Sequence, residues 1–320
     1  MSNLSMPDAR ASRAAHERLL LRLEWRVVRR LEGRLAGGYR TAHRGTGTDL
    51  AGLREYVEGD DARYIDWNAT ARLNKPHLRV FTEDRELTVW LVLDRSASMT
   101  VGVPGRSKQD VLSELALVLA RLFGRGGNRV GALLYDTAFG NRAVRTVSPG
   151  TGRRHALRIG AELARTTDAG RGGAGRGGAG QYGGTTDLAA MLDAVGKIAQ
   201  RRALIVVISD FIGNGDWERS LLRLAPRHEV VALRVIDSAD DELPDAGLVV
   251  VEDAETGEQL VIDSSDPLLR ARLAACVEDR DTSLAAGMRR AGVPIHRIGT
   301  DADLATALLD VVASTRRRRA

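Results

Sequence analysis

Asp94, Ser96 and Ser98 stand at alternate positions directly after an apolar run, Val89-Trp90-Leu91-Val92-Leu93, with only the small Ala97 between the two hydroxyls. An aspartate and two hydroxyls so spaced can turn several hard oxygens toward one point in a tight loop. Hard oxygens suit Mg2+, Mn2+ or Ca2+ rather than zinc. Two further stretches belong with this one. Gly183-Gly184-Thr185-Thr186-Asp187 introduces a helical run over Leu188–Gln200, and Leu204-Ile205-Val206-Val207-Ile208-Ser209-Asp210 again closes an apolar strand on an aspartate. The competing reading is that the serines cap the following helix and the aspartates bind backbone amides, since Ser and Asp are also ordinary turn and N-cap residues.

These side chains must be positioned by a sheet. A continuous β-prone run bounded by polar residues reads as a strand buried on both faces, so Asp94 falls where the strand leaves the sheet. Open α/β sheets place their chemistry there. After Asp94 the pattern predicts a helix over 108–123, strands over 129–135 and 143–147, and a helix over 153–164. Beyond Asp210 come a short helix, 217–224, and a buried strand, 229–236. A hairpin of 248–251 with 259–262, a helix over 267–291 opened by Pro267, a strand 293–298 and a closing helix 304–313 complete the chain. Strands alternating with helices imply a mainly parallel, doubly wound sheet with helices on both faces.

Ahead of this domain the chain reads differently. Leu20, Leu23, Val27, Leu31 and Leu35 recur at helical spacing within 14–35, ended by Gly37-Gly38. Residues 41–86 form a segment rich in Asp, Arg and aromatics. Its Asp60, Asp61 and Asp66 lack the EF-hand spacing and closing Glu, so they are expected to pair with Arg54, Arg63 and Arg72 while Tyr64 and Trp67 pack on the main domain. Residues 167–184 hold Gly-Arg-Gly-Gly-Ala twice, a composition expected to be mobile, without the Gly-x-x-x-x-Gly-Lys-Ser/Thr of a phosphate loop.

Composition narrows the function classes. The 320-residue chain carries 43% hydrophobic and 28% charged residues, an ordinary globular balance, and only 4% aromatics, which argues against base-stacking platforms. Its one cysteine, Cys276, cannot close an internal disulfide and reads as a buried small hydrophobe. No segment reaches the roughly 20 apolar residues of a bilayer span, and no signal peptide is evident, so a cytoplasmic protein is expected. His16, His43, His77, His155, His228 and His296 are scattered without ligand spacing and read as surface or satisfied histidines. Neither His-Glu-x-x-His, Gly-x-Ser-x-Gly nor Cys-x-x-Cys occurs. The net charge of +5 is partly local, in Arg316–Arg319, a tail expected to be solvated.

Taken in order, Asp94-x-Ser96-x-Ser98, Gly183-Gly184-Thr185 and Asp210 resemble the metal-ion-dependent adhesion site of von Willebrand factor type A domains. The stretch Tyr56-Val57-Glu58-Gly59-Asp60-Asp61-Ala62-Arg63-Tyr64-Ile65-Asp66-Trp67 closely resembles the signature of the bacterial domain of unknown function 58 family, which precedes such a domain. The resemblance covers the chain from about residue 41 onward. It implies a von Willebrand factor type A-like, Rossmann-like α/β fold over 87–315 behind an N-terminal helical and irregular extension. It also implies Asp94, Ser96, Ser98, Thr185 and Asp210 as ligands of a divalent cation, most simply Mg2+, with Thr185 rather than Thr186 matching Gly-Gly-Thr.

On this reading an under-neutralised ion with an open position captures an acidic side chain of a client protein. Ser98, Gly184 and Phe211 are expected to form the partner-facing rim. The resemblance further implies partnership with a MoxR-type AAA+ ATPase and a chaperone-like role in assembling or activating another complex, without catalysis. The alternative is a magnesium-dependent phosphohydrolase, although a phosphatase-like second Asp two residues after Asp94 is replaced by Ser96. A third class, nucleic-acid binding through the arginine tail, would be steeply salt-sensitive.

Overall fold

The computed structural model describes residues 44–57, 60–82, 87–103, 106–125, 127–136, 144–171, 186–213, 215–237, 240, 243, 245–253, 258–304, 306–308 and 311. The amphipathic run of 14–35, most of the Gly-rich stretch, with Gly184 and Thr185, and the arginine tail lie outside them. The chain divides into two compact units between Glu86 and Leu87.

In the smaller unit, strand β1 (Arg44–Glu55) pairs antiparallel with β2 (His77–Thr82), and helix α1 (Trp67–Leu73) lies between them in sequence. The expectation of an irregular extension is therefore corrected: the β-prone residues of 77–82 find a partner in 44–55. The aspartates of the signature stretch order its turns. Asp60 accepts from the Val57 N–H, Asp61 caps a 3-10 turn and pairs with Arg63 at 2.7 Å, and Asp66 caps α1 through the N–H groups of Asn68 and Ala69. The Trp67 indole is 69% exposed.

The larger unit begins with β3 (Thr88–Asp94), a 3-10 turn (Ala97–Thr100) and the small ribbon β4 (Gly102–Val103) with β5 (Arg106–Ser107). There follow α2 (Lys108–Arg125), β6 (Arg129–Tyr135), β7 (Val144–Gly150), α3 (Gly152–Arg171) and α4 (Leu188–Ile198). The remainder is β8 (Leu204–Ser209), α5 (Trp217–Leu224), β9 (Glu229–Ile236), β10 (Leu248–Glu252), β11 (Gln259–Asp263), α6 (Pro267–Arg290) and β12 (Ile295–Gly299). Six strands form one sheet in the order β12-β9-β8-β3-β6-β7, parallel throughout except for β7 at one edge.

The two central strands, β3 and β8, are buried almost end to end because helices cover both faces of the sheet. From β3 the chain winds to one side through β6 and β7, then returns to β8 and winds to the other side through β9 and β12. The strand order therefore reverses between β3 and β8, and sheets of this kind bind their ligands in the crevice beyond the carboxyl ends at such a switch point. Close packing in the amino-terminal half of the β3–β6 pair depends on Gly131, where a Cβ would lie 2.7 Å from the Trp90 ring.

Three expectations are corrected here. Helix α3 runs on to Arg171, so the Gly-rich stretch begins later than its composition suggested. Cys276 is exposed, because α6 buries only Leu284, Gly287 and Met288 near its C-terminal end. His228 is 4% exposed, and neither ring nitrogen has a hydrogen-bond partner among the described residues. The ribbon of β10 and β11 has the expected antiparallel pairing, but it stays exposed, with Leu248, Val250, Leu260 and Val261 turned to solvent.

Candidate metal centre

The carboxyl ends of the paired strands β3 and β8 gather several of the polar residues singled out above. Asp94 ends β3 and is fully buried, as is Ser96. Asp94 Oδ1 accepts from the Ser96 N–H at 3.0 Å, and Oδ2 accepts from Ser209 Oγ, across from the end of β8, at 2.6 Å. Ser96 sits at the N-cap of the 3-10 turn, yet its side chain makes no capping hydrogen bond; its Oγ lies 3.0 Å from Ser98 Oγ. The competing reading of the serines as helix caps thus fails for Ser96. For the aspartates it holds: Asp94 Oδ1 accepts from the Ser96 N–H and Asp210 Oδ1 from the Ile212 N–H, each at 3.0 Å, while the second oxygen of each faces a side chain.

The loop that carries the two serines is anchored from below by Arg95. Its backbone N–H donates to Tyr135 O at 2.7 Å, its guanidinium donates to Leu163 O on α3 at 2.9 Å, and Asp136 stands 4.0 Å away. Across the crevice, Arg234 donates to the backbone carbonyl of Asp210 at 3.2 Å and is paired to Asp281 at 2.7 Å. The loop after Asp210 is drawn onto the start of α4: a Cβ on Gly213 would lie 2.5 Å from the Thr186 carbonyl oxygen. Thr186 is fully buried there, while its neighbour Thr185 lies outside the described residues.

Sequence reasoning missed two participants. Ser209 was read only as part of a strand end, although it bridges Asp94 to the Phe211 N–H, to which its Oγ is 2.9 Å away. Lys108, the first residue of α2, is 1% exposed and donates to Asp210 Oδ2 at 2.8 Å and to both oxygens of Asp240 at 2.9 and 3.0 Å. A lysine opening a helix carries no sequence signal that its side chain turns inward. Ser98 and Phe211, placed on the rim from sequence, are instead 9% and 8% exposed, and Phe211 belongs to the core cluster, with a left-handed φ of 57°. Left-handed backbone at an aromatic residue is strained, and strain of this kind concentrates at functional sites.

The electrostatics single out Asp94. Burial first, and then the charge of Asp210, push its carboxyl up to about 6, against the hydrogen bonds from Ser209 and Ser96. Burial alone would lower the Lys108 ammonium, but Asp210 and Asp240 outweigh it and hold the group above its ordinary value. Asp94, Asp210 and Asp240 against one lysine leave a formal charge of −2, the charge that one divalent cation would cancel.

The described residues contain no cluster of three or more His, Cys, Asp or Glu side chains placed to hold an ion. The donor set consists instead of a carboxylate lacking a counter-ion and two adjacent hydroxyls, with a second carboxylate close by. That set fits a hard divalent cation, which Asp94, Ser96 and Ser98 would hold.

Fold and site together define a mixed α/β protein with a mostly parallel sheet and a polar crevice at its switch point. The family described as "Protein of unknown function DUF58" matches residues 52–283, and the chain belongs to that family. Uncharacterized proteins of Mycobacterium bovis and Mycobacterium tuberculosis are 38% identical over 298 residues, covering 92% of this chain and 88% of theirs. An uncharacterized protein of Mycobacterium avium is 41% identical over 133 residues, covering 41% of this chain and 77% of its own. Among solved structures, the conserved hypothetical protein BatB from Bacteroides thetaiotaomicron aligns with 15% identity and a TM-score of 0.42 over 71% of this chain and 99% of that one. No helix among the described residues is long and apolar enough to cross a membrane.

Proposed function

We propose that the larger unit is a von Willebrand factor type A-like domain whose crevice is a metal-ion-dependent adhesion site, and that the protein is a non-catalytic interaction module. Asp94, Ser96 and Ser98 hold a divalent cation, with Asp210 and Thr185 in support, and the ion takes an acidic side chain from a client protein. The family resemblance adds a MoxR-type AAA+ ATPase as working partner and the assembly or activation of a client complex as the task, in the cytoplasm. What supports the reading is one observation: Asp94 is a fully buried carboxylate without a counter-ion among the described residues, beside a pair of hydroxyls that cap nothing. Because Asp94 and Ser96 are wholly buried, capture requires the rim beside Ser98 to open.

The test is affinity capture of the purified MoxR-type ATPase and of client proteins, with Mg2+ or with chelator, by wild type and by Asp94→Ala. The proposal expects capture that chelator and the substitution both abolish. Capture indifferent to both would end it. Metal-dependent phosphate release from p-nitrophenyl phosphate, lost in Asp94→Ala, would establish the phosphohydrolase instead.

A further inference from the structure

We infer that Lys108 is the resident cation of this site: it pairs with Asp210 and Asp240, keeps Asp210 from contacting the divalent ion, and so leaves Asp94 as the one charged ligand. The inference rests on the metal-dependent reading of the same crevice, and it makes Lys108 a positioning residue for the ion.

The two aspartates look equivalent in the sequence, since each ends a buried strand, but their surroundings differ. Among the described residues Asp94 is met by neutral donors, the Ser209 hydroxyl and the N–H and hydroxyl of Ser96. Asp210 is met by an ammonium at 2.8 Å on one oxygen and by the Ile212 N–H on the other. An ammonium has three N–H donors, and Lys108 has three acceptors within 3.0 Å: Asp210 Oδ2, Asp240 Oδ1 and Asp240 Oδ2.

Lys108 is also at the unfavourable end of a helix for a cation. The start of an 18-residue helix presents partial positive charge, which favours anions. Its backbone is fixed by the Lys108 N–H donating to Val101 O at 3.1 Å, and its side chain is 1% exposed, so among the described residues the two carboxylates are what compensates the charge. Breaking either contact leaves a buried charge unpaired. Lys108 therefore stays on Asp210, and an incoming ion meets the Asp94 side of the crevice. The same ammonium ties the end of β8 to Asp240, in the chain that leads from β9 to the exposed β10–β11 ribbon.

The test is calorimetric titration of the full chain with Mn2+, comparing wild type, Lys108→Met and Asp240→Asn, with folding followed by circular dichroism. Removing the lysine frees the carboxylate of Asp210 for the ion, so affinity should tighten by about tenfold or more. Asp240→Asn leaves the ammonium to Asp210 alone and removes a nearby negative charge, so affinity should weaken. Because the Asp240 side chain is 14% exposed, this variant carries the test if Lys108→Met does not fold. Unchanged affinity in either folded variant, or weaker binding in Lys108→Met, would overturn the inference while leaving the metal-dependent reading in place. Binding by Lys108→Met but not by wild type would sustain the lysine's role and overturn that reading, and no binding by any of the three would overturn both.

Discussion

Asp94 carries a charge that burial and the neighbouring Asp210 disfavour. Its carboxyl titrates near 6 in the folded protein and near 3.8 in the unfolded chain, so between those values the unfolded state is ionised while the folded state still holds the proton. Metal-free protein should therefore lose stability as pH rises from about 4 to about 6, by roughly 3 kcal/mol at most. Asp94→Asn keeps an acceptor for the Ser96 N–H and abolishes the charge. In urea denaturation with chelator it should be more stable than wild type at pH 7, with the advantage vanishing toward pH 4. A substitution that destabilises at both pH values would remove the electrostatic argument.

His228 behaves with the opposite sign. Burial, then Arg227 and Arg202, hold its ring below the ordinary value, so it stays neutral when folded and protonates on unfolding. Its contribution is present above pH about 6.5 and is lost as pH falls below that. His228→Leu removes two unpartnered buried nitrogens and should reduce the loss of urea stability between pH 7.5 and pH 5. Because the two slopes oppose each other, each is read from its own variant rather than from the wild-type profile.

At the scale of elements, the crevice exists because β3 and β8 lie side by side while the chain winds away from them in opposite directions. The apolar runs ending in Asp94 and Asp210 made both strands legible in the sequence, and the observed strands at 88–94, 129–135, 204–209 and 229–236 fall on the expected runs. The pairing of β1 with β2 was not legible, since 44–55 is rich in Gly, Thr and Arg rather than β-branched apolar residues. Lys108, Ser209 and the inward turn of Phe211 were missed for another reason: side-chain direction at an element's end is set by tertiary contacts, which local pattern does not encode. Cys276 misled because periodicity along α6 marks one apolar face, whereas only the helix's last turns meet the core.

Crowding is costly within the sheet as well as at its carboxyl edge. In Gly131→Ala the new methyl would press on the Trp90 ring, four residues before Asp94 on β3, with an expected destabilisation of about 1–3 kcal/mol. Gly213→Ala would press on the Thr186 carbonyl, next to the proposed ligand Thr185, and should weaken Mn2+ binding, whereas Gly131→Ala should leave it unchanged. Equal effects of the two substitutions on metal affinity would mean that the Asp210 loop has no special part in the site.

Across the whole molecule, the family match spans residues 52–283, and the six-stranded sheet of the larger unit carries Asp94 at its carboxyl edge. The proposed function depends on a divalent cation binding there through Asp94. The most direct measurement is the thermal unfolding of wild type and Asp94→Asn at pH 7.5, each with chelator and with saturating Mg2+ or Mn2+. Ligand that binds only the folded state raises its stability, so the wild-type transition should rise by several degrees with metal while the variant's stays put. A wild-type transition that does not move with either metal, or one that moves equally in the variant, would contradict the account.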